Sequence, residues 1–260
     1  MPADGRLNTR AELERRAPSG RLRWTGPATM LFARSGFAVI AQALVAGGLA
    51  LQGSATSWRD AAVWFPVYAT LIDAGCLALL YKLVRAEGGR LVDLLGFDPR
   101  RFGRDLLFGM LLIAPSLLFI LGGIAAASLL VYGTPHAPPS IFGRLPLPGA
   151  LYAVLVFPVL WGVTEQMTYN GYLAPRIQVV ARSTVIAVAL VAFSWSFQHV
   201  VMPVRLDASY AAYRMLSPIP FSIFIVLVYL RTRRLTPLAI AHGAMDGADA
   251  FLNLLWPWLR

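Results

Sequence analysis

Apolar residues run in long blocks along this chain, and polar residues gather between them. The blocks cover residues 30–52, 61–83, 105–132, 149–174, 183–202, 216–231 and 236–257, with boundaries good to several residues. Most reach the roughly 20 residues that a helix needs to cross a hydrocarbon core. None shows the strict alternation of a barrel strand. Lipid leaves every backbone amide and carbonyl to be satisfied within the protein, so the blocks predict helices. The expected fold is all-α, a polytopic transmembrane helix bundle of about seven spans with its N-terminus inside. Residues 1–28 read as a polar, Arg-rich cytoplasmic tail able to form a short surface helix. They are too polar and too long for the positive region of a signal peptide. Residues 29–260 read as one transmembrane domain, without a second domain or a clear internal repeat.

Composition strengthens this picture. Of the 260 residues, 57% are hydrophobic and 14% charged, a balance that excludes an ordinary soluble domain. The net charge of +10 would suggest nucleic acid in a soluble protein. Here it follows membrane topology, and no nucleic-acid partner is expected. With the N-terminus inside, the inner regions carry Arg6, Arg10, Arg15, Arg16, Arg21, Arg23, Lys82, Arg85, Arg90, Arg100, Arg101, Arg104, Arg176, Arg182, Arg231, Arg233 and Arg234. Arg34 is expected to snorkel to the same side. The outer regions carry Arg59, Arg144, Arg205, Arg214 and Arg260. That asymmetry is the positive-inside pattern. The expected location is a plasma membrane of bacterial type, crossed several times. Cys76 is the one cysteine, which excludes an intramolecular disulfide and a thiolate cluster.

The connectors and prolines refine the spans. Pro203 closes the fifth block, and Pro218 and Pro220 open the sixth. Pro115 and Pro158 fall inside blocks, where proline kinks a helix. Residues 133–148 read as an outer loop, and 84–104 as an inner connector with an interfacial helix at LVDLLGF. Trp24, Trp58, Trp64, Trp256 and Trp258 fall near the expected interfaces, whereas Trp161 and Trp195 lie deeper.

Ionisable groups inside a bilayer are costly, so each invites a functional reading. Away from their ends the blocks contain Asp73, Glu165, His199, His242, Asp246 and Asp249. Three clusters stand out. In TEQMTYNGY, Glu165 is the lone carboxylate, with Trp161, Tyr169 and Tyr172 along its helix face. Gln166 and Asn170, four apart, are placed to hydrogen-bond to each other. The second cluster is FSWSFQH, ending at His199. In the third, AHGAMDGAD, His242 and Asp246 share one helix side, and Gly243 and Gly247 admit a close helix neighbour. Each signal alone fits interhelical hydrogen bonding as well as chemistry. Together they point to a shared site.

The order of a Glu helix, an aromatic-x-x-x-His helix and a His-x-x-x-Asn/Asp helix resembles the CPBP family of intramembrane proteases. That family includes prenyl-protein (CaaX) endopeptidases and bacteriocin-processing and immunity-associated proteins. The resemblance covers about residues 90–255. The family's first motif is usually Glu-Glu-x-x-x-Arg-Gly; here it reads Glu165, Gln166, three residues, Asn170 and Gly171. Its second, Phe-x-x-x-His, reads Trp195 to His199, and its third, His-x-x-x-Asn, reads His242 to Asp246. Loss of one partner of a buried ion pair strands a charge at about 3–5 kcal/mol, so the joint change to Gln166 and Asn170 reads as a coordinated neutral replacement.

The resemblance implies an endopeptidase that cleaves a membrane-embedded or lipid-anchored protein or peptide. Glu165 would be the general base, with His199 helping to hold a water. His242 and Asp246 would stabilise the oxyanion or orient the substrate, with Gln166, Asn170, Trp195 and Tyr169 in support. An Asp, unlike an Asn, serves an oxyanion only if protonated or turned toward His242. No cofactor is expected. Zinc on His199, His242 and a carboxylate is a less favoured version, because no His-Glu-x-x-His motif is present. Counted from the inner face, His199 and His242 differ in depth by roughly 15 Å, so convergence requires a shifted or tilted helix. Two other readings compete: a weakened family member serving as a membrane scaffold, and a proton-coupled transporter relaying through Asp73, Glu165 and the Asp246/Asp249 pair.

Overall fold

The computed structural model describes residues 8–18, 20, 22–136, 138 and 143–259. Arg6, Arg21 and Arg260 of the charge count, and part of the 133–148 connection, lie outside the described residues. The named elements are all helical.

Short helix α1 (Arg10–Arg16) starts at Thr9, whose hydroxyl accepts from the Glu12 amide. It buries Leu13 against Leu22 and Val179, so this part of the tail docks on the bundle. Helix α2 (Thr25–Leu51) begins five residues before the first expected span. The second expected span is broken at Trp64, which ends α3 (Ser57–Val63) and caps α4 (Phe65–Ala86). The inner connector forms two 3-10 turns, at Leu91–Leu94 and Pro99–Arg101, in place of the expected interfacial helix. Gly88, Gly89, Gly96 and Pro99 interrupt this stretch too often for a longer helix. Helix α5 (Phe102–Tyr132) runs through Pro115 and stops at Gly133, which adopts the left-handed conformation of a C-terminal cap.

The fourth expected span is the most altered. It divides into α6 (Leu147–Leu155), α7 (Phe157–Gln166), a π-helical segment (Met167–Leu173) and α8 (Ala174–Val180). The chain bends by 41° between α6 and α7, where Pro158 lacks the amide that would continue the ladder. Helix α9 (Thr184–Val200) follows the fifth expected span closely, capped by the Ser183 hydroxyl. Next comes α10 (Ala208–Leu216), capped by Asp207, in a stretch the hydropathy pattern reads as loop. Helix α11 (Ile219–Thr232) has Pro220 in its first turn, where a missing amide costs nothing. The last expected span comprises α12 (Thr236–Ala250), a π-helical segment (Phe251–Leu255) and α13 (Trp256–Leu259).

By length and hydropathy, four helical stretches are long and apolar enough to cross a membrane, and five if the bent pair around α6 and α7 counts as one. Helix α9 is apolar but shorter, and α12 is interrupted by its own polar residues. The outward faces agree with lipid as the solvent: Leu118, Leu130 and Val185 are each at least 70% exposed. Water would make such surfaces unfavourable.

Small residues bring the site's helices together. A Cβ added at Gly162 of α7 would lie 2.9 Å from the Gly243 amide nitrogen of α12. One added at Gly109 of α5 would lie 2.9 Å from the Pro237 carbonyl oxygen. Backbones approach this closely only where side chains are absent. At the end of the bundle carrying the Arg-rich connectors, Arg176 grips Glu87 through contacts of 2.6–2.9 Å, and Arg234 pairs with Asp105. Asn8 seals this end by bonding to Gly171, Tyr229 and Arg176.

Candidate active site

Glu165 lies at the end of α7, fully buried, where the helix passes into its π-helical turn. A π-helical turn widens a helix and re-aims its side chains, and such turns are frequent at functional sites. The carboxylate is held on two sides. Its Oε1 accepts from the Gln198 amide of α9. Its Oε2 lies 3.1 Å from Nε2 of His242 on α12. That same nitrogen is 3.5 Å from Oδ2 of Asp246, one turn further along α12. Among the described residues, neither Glu165 Oε2 nor Asp246 Oδ2 has a hydrogen-bond partner. Both oxygens therefore have lone pairs to offer a water or a substrate N–H.

The other ring nitrogen of His242 is 3.1 Å from Gln166 Nε2, and Gln166 Oε1 accepts from Asn170 at 2.7 Å. The two amides thus pair across one helical turn. With Gln166 oriented this way, Nδ1 of His242 is an acceptor and the ring proton sits on Nε2, between the two carboxylates.

Aromatic side chains wall the site. Tyr169 stacks on Trp195 with ring centres 4.9 Å apart and planes inclined by 12°. Trp195 lies 6.0 Å from the His242 ring, and Phe221 of α11 stands edge-on to both. This explains why Trp195 sits deep in the bundle. The depth mismatch expected between α9 and α12 does not keep Trp195 from His242.

His199 takes a different position from the one the motif suggests. Its Nδ1 is 3.1 Å from Arg214 of α10, which also donates to the His199 and Met202 carbonyls. Its neighbour Gln198 makes the bond to Glu165. Asp249 pairs with Asn253 on its own helix. Asp73 is taken up by Arg34, 2.9 Å away.

Arg34 overturns an expectation. It does not snorkel to the inner surface: it is completely buried. Because α2 begins at Thr25, Arg34 sits about 13 Å along its helix, too deep for its stem to reach the surface. Asp73, the Trp161 ring 4.1 Å away and Gln198 receive it instead. The sequence offered one sign of this, since Arg34 and Asp73 are charges of opposite sign within adjacent apolar blocks. Gln198 shares the Trp195 face at a spacing of three, but an amide beside a histidine attracts less notice. Arg214 falls in the helix that the hydropathy pattern does not show.

The arrangement joins a buried carboxylate, an imidazole and a second carboxylate around one small volume. Such a set can take a proton from water and donate a hydrogen bond to a developing oxyanion. Among the described residues, no group of three or more His, Cys, Asp or Glu side chains is arranged to hold a metal ion.

Comparison with curated proteins and with solved structures returns no match in either set. A family model does match. Its description is type II CAAX prenyl endopeptidase Rce1-like, and it covers residues 147–248. That stretch contains Glu165, Gln166, Asn170, Trp195, Gln198, His199, Arg214, His242 and Asp246. Residues 147–248 are thus similar to the type II CAAX prenyl endopeptidase Rce1-like family, in keeping with the resemblance to the CPBP family of intramembrane proteases.

Proposed function

We propose that this chain is an intramembrane endopeptidase in which Glu165 activates a water against a peptide bond of a membrane-associated protein or peptide. The observation that carries the reading is the Glu165 carboxylate: buried, fixed through one oxygen, and unpartnered through the other, which lies beside His242. Water gives a proton to Oε2 of Glu165, and its oxygen attacks the carbonyl carbon. The Nε2–H of His242 donates to the oxyanion. Glu165 then returns the proton to the amine nitrogen as the C–N bond breaks. Asp246 accepts from His242 or from the substrate's N–H rather than serving the oxyanion. His199, steadied by Arg214, lines the approach. The scheme uses no metal, a choice that rests on the family resemblance and on the missing His-Glu-x-x-His motif.

The substrate class that fits is a lipid-anchored or membrane-embedded segment, in line with the prenyl endopeptidase description of the matched family model and with a site set among apolar helices. The same proposal keeps about seven crossings with the N-terminus inside, the shorter α9 and α12 adding to the four or five stretches that pass by length and hydropathy. The Arg-rich connectors, with the Arg176–Glu87 and Arg234–Asp105 pairs, then lie together at the inner end. A second reading, a weakened member that binds such segments without cutting them, draws on one observation. Gln166 and Asn170 satisfy each other as neutral amides where the family pattern has charges.

New protein termini in membranes from cells expressing the wild type or Glu165→Ala, at matched levels, test between these. Termini that disappear with Glu165→Ala and with His242→Ala, and persist in the presence of a zinc chelator, support the proposal. Identical termini in all strains would move the binding role to first place.

A further inference from the structure

A guanidinium inside a bilayer is costly unless other groups receive it. Arg34 is received by three. Its NH1 donates to Asp73 Oδ1 of α4 at 2.9 Å, and its Nε donates to Gln198 Oε1 of α9 at 3.0 Å. Its face lies on the Trp161 ring of α7 at 4.1 Å. One side chain of α2 therefore touches the three helices α4, α7 and α9.

The contact with Gln198 bears on Glu165. A glutamine amide has two ends of nearly equal size, and only its hydrogen-bond partners decide which end points where. Arginine can only donate, so the end of Gln198 that faces Arg34 is its oxygen. Tyr169 donates its hydroxyl to the same oxygen at 3.0 Å, and stacking on Trp195 holds its ring. The Gln198 NH2 is thereby directed at Glu165 Oε1. Without Arg34, the Gln198 oxygen keeps only the Tyr169 hydroxyl as a donor, and the amide is held less firmly. Its bond to Glu165 would then loosen, and Oε2 would no longer be fixed in its place beside His242.

We infer that Arg34, anchored by Asp73, is a positioning residue for Glu165 that acts through the amide of Gln198. The inference deepens the reading of Glu165 as the base and rests on it. Arg34 and Asp73 both lie outside the stretch matched by the family model. Around Glu165 itself the neighbouring motif positions are the neutral Gln166 and Asn170, so the buried cation comes from α2.

The alternative is that the Arg34–Asp73 pair only ties α2 to α4. Arg34→Met alone would strand Asp73, so the primary variant removes both charges, as Arg34→Met/Asp73→Leu. This variant, Gln198→Met and the combined triple variant are compared in the full-length protein, reconstituted in liposomes. Two readouts are used. The first is Glu165-dependent cleavage. The second is the infrared carboxylate band of Glu165, assigned as the band that Glu165→Gln removes. Positioning through Gln198 predicts that each variant lowers kcat by about 10²-fold and leaves KM within about twofold. It predicts that the triple variant is no slower than Gln198→Met, and that the Glu165 band shifts alike in all three. Losses that multiply, or an unshifted band in the Arg34→Met/Asp73→Leu protein, would overturn the inference. If the wild type shows no Glu165-dependent cleavage, the base reading fails, and the infrared band alone decides the positioning claim. A double-charge variant that does not fold is replaced by Tyr169→Phe. Removing the second donor to Gln198 is then expected to shift the band in the same direction, and an unshifted band overturns the inference.

Discussion

Gln166 and Asn170 show how a buried pair constrains what may replace it. They bond to each other at 2.7 Å, and Gln166 also meets His242. Gln166→Glu alone would place an unpaired, fully buried carboxylate beside Asn170. It is expected to destabilise the protein by about 3–5 kcal/mol, read as lower thermal unfolding in detergent. Adding Asn170→Arg is expected to recover much of that loss, because the two new charges then face each other one turn apart. A double variant less stable than the single would show that the pair does not act as a unit. At this scale much of the site is legible in the sequence. Glu165, His242 and Asp246 stand out because a charge in an apolar block must have a reason. Arg34 and Gln198 are not legible in the same way. Their meaning depends on partners 39 and 33 positions away, and hydropathy carries no information about which helices meet.

Among the elements, the contact between α7 and α12 decides whether the site exists. The Glu165 and His242 side chains meet because Gly162 and Gly243 let the two backbones touch. Gly162→Ala must push α12 away, since the obstructing atom is backbone nitrogen and not a flexible side chain. The expected cost is about 1–3 kcal/mol in unfolding, with a loss of activity that exceeds the loss of folded protein. Gly122→Ala, which meets nothing within 4 Å, is the control and should leave the melting temperature unchanged or raise it. Equal melting of the two variants would remove the close approach from the account. The helical character of the chain is legible from its blocks of apolar residues. Their breaks were less so. The bend before α7 was marked by Pro158, but the π-helical turn after Gln166 has no comparable sequence mark. Helix α10 was hidden because it buries only Tyr210 and Tyr213 and mixes polar residues among them.

For the molecule as a whole, the proposed topology puts the Arg-rich connectors on one side and the α9–α10 turn on the other. Cys76 is the one cysteine and is buried, so Cys76→Ser gives a background for single reporters. Arg59→Cys is expected to react with a membrane-impermeant thiol reagent in intact cells, and Arg100→Cys only after lysis. The reverse pattern would invert the topology and place the polar residues around His199 and Arg214 on the inner side.

The central claim, that Glu165 performs peptide hydrolysis within the bilayer, is tested most directly with purified protein in liposomes containing a lipid-anchored peptide. The measurement is the rate of peptide cleavage by the wild type and by Glu165→Gln, a change that keeps the shape of the side chain and removes its basicity. The account predicts cleavage by the wild type and a fall of about 10²–10⁴-fold in Glu165→Gln, with the folded protein intact. Cleavage by Glu165→Gln at the wild-type rate would contradict it.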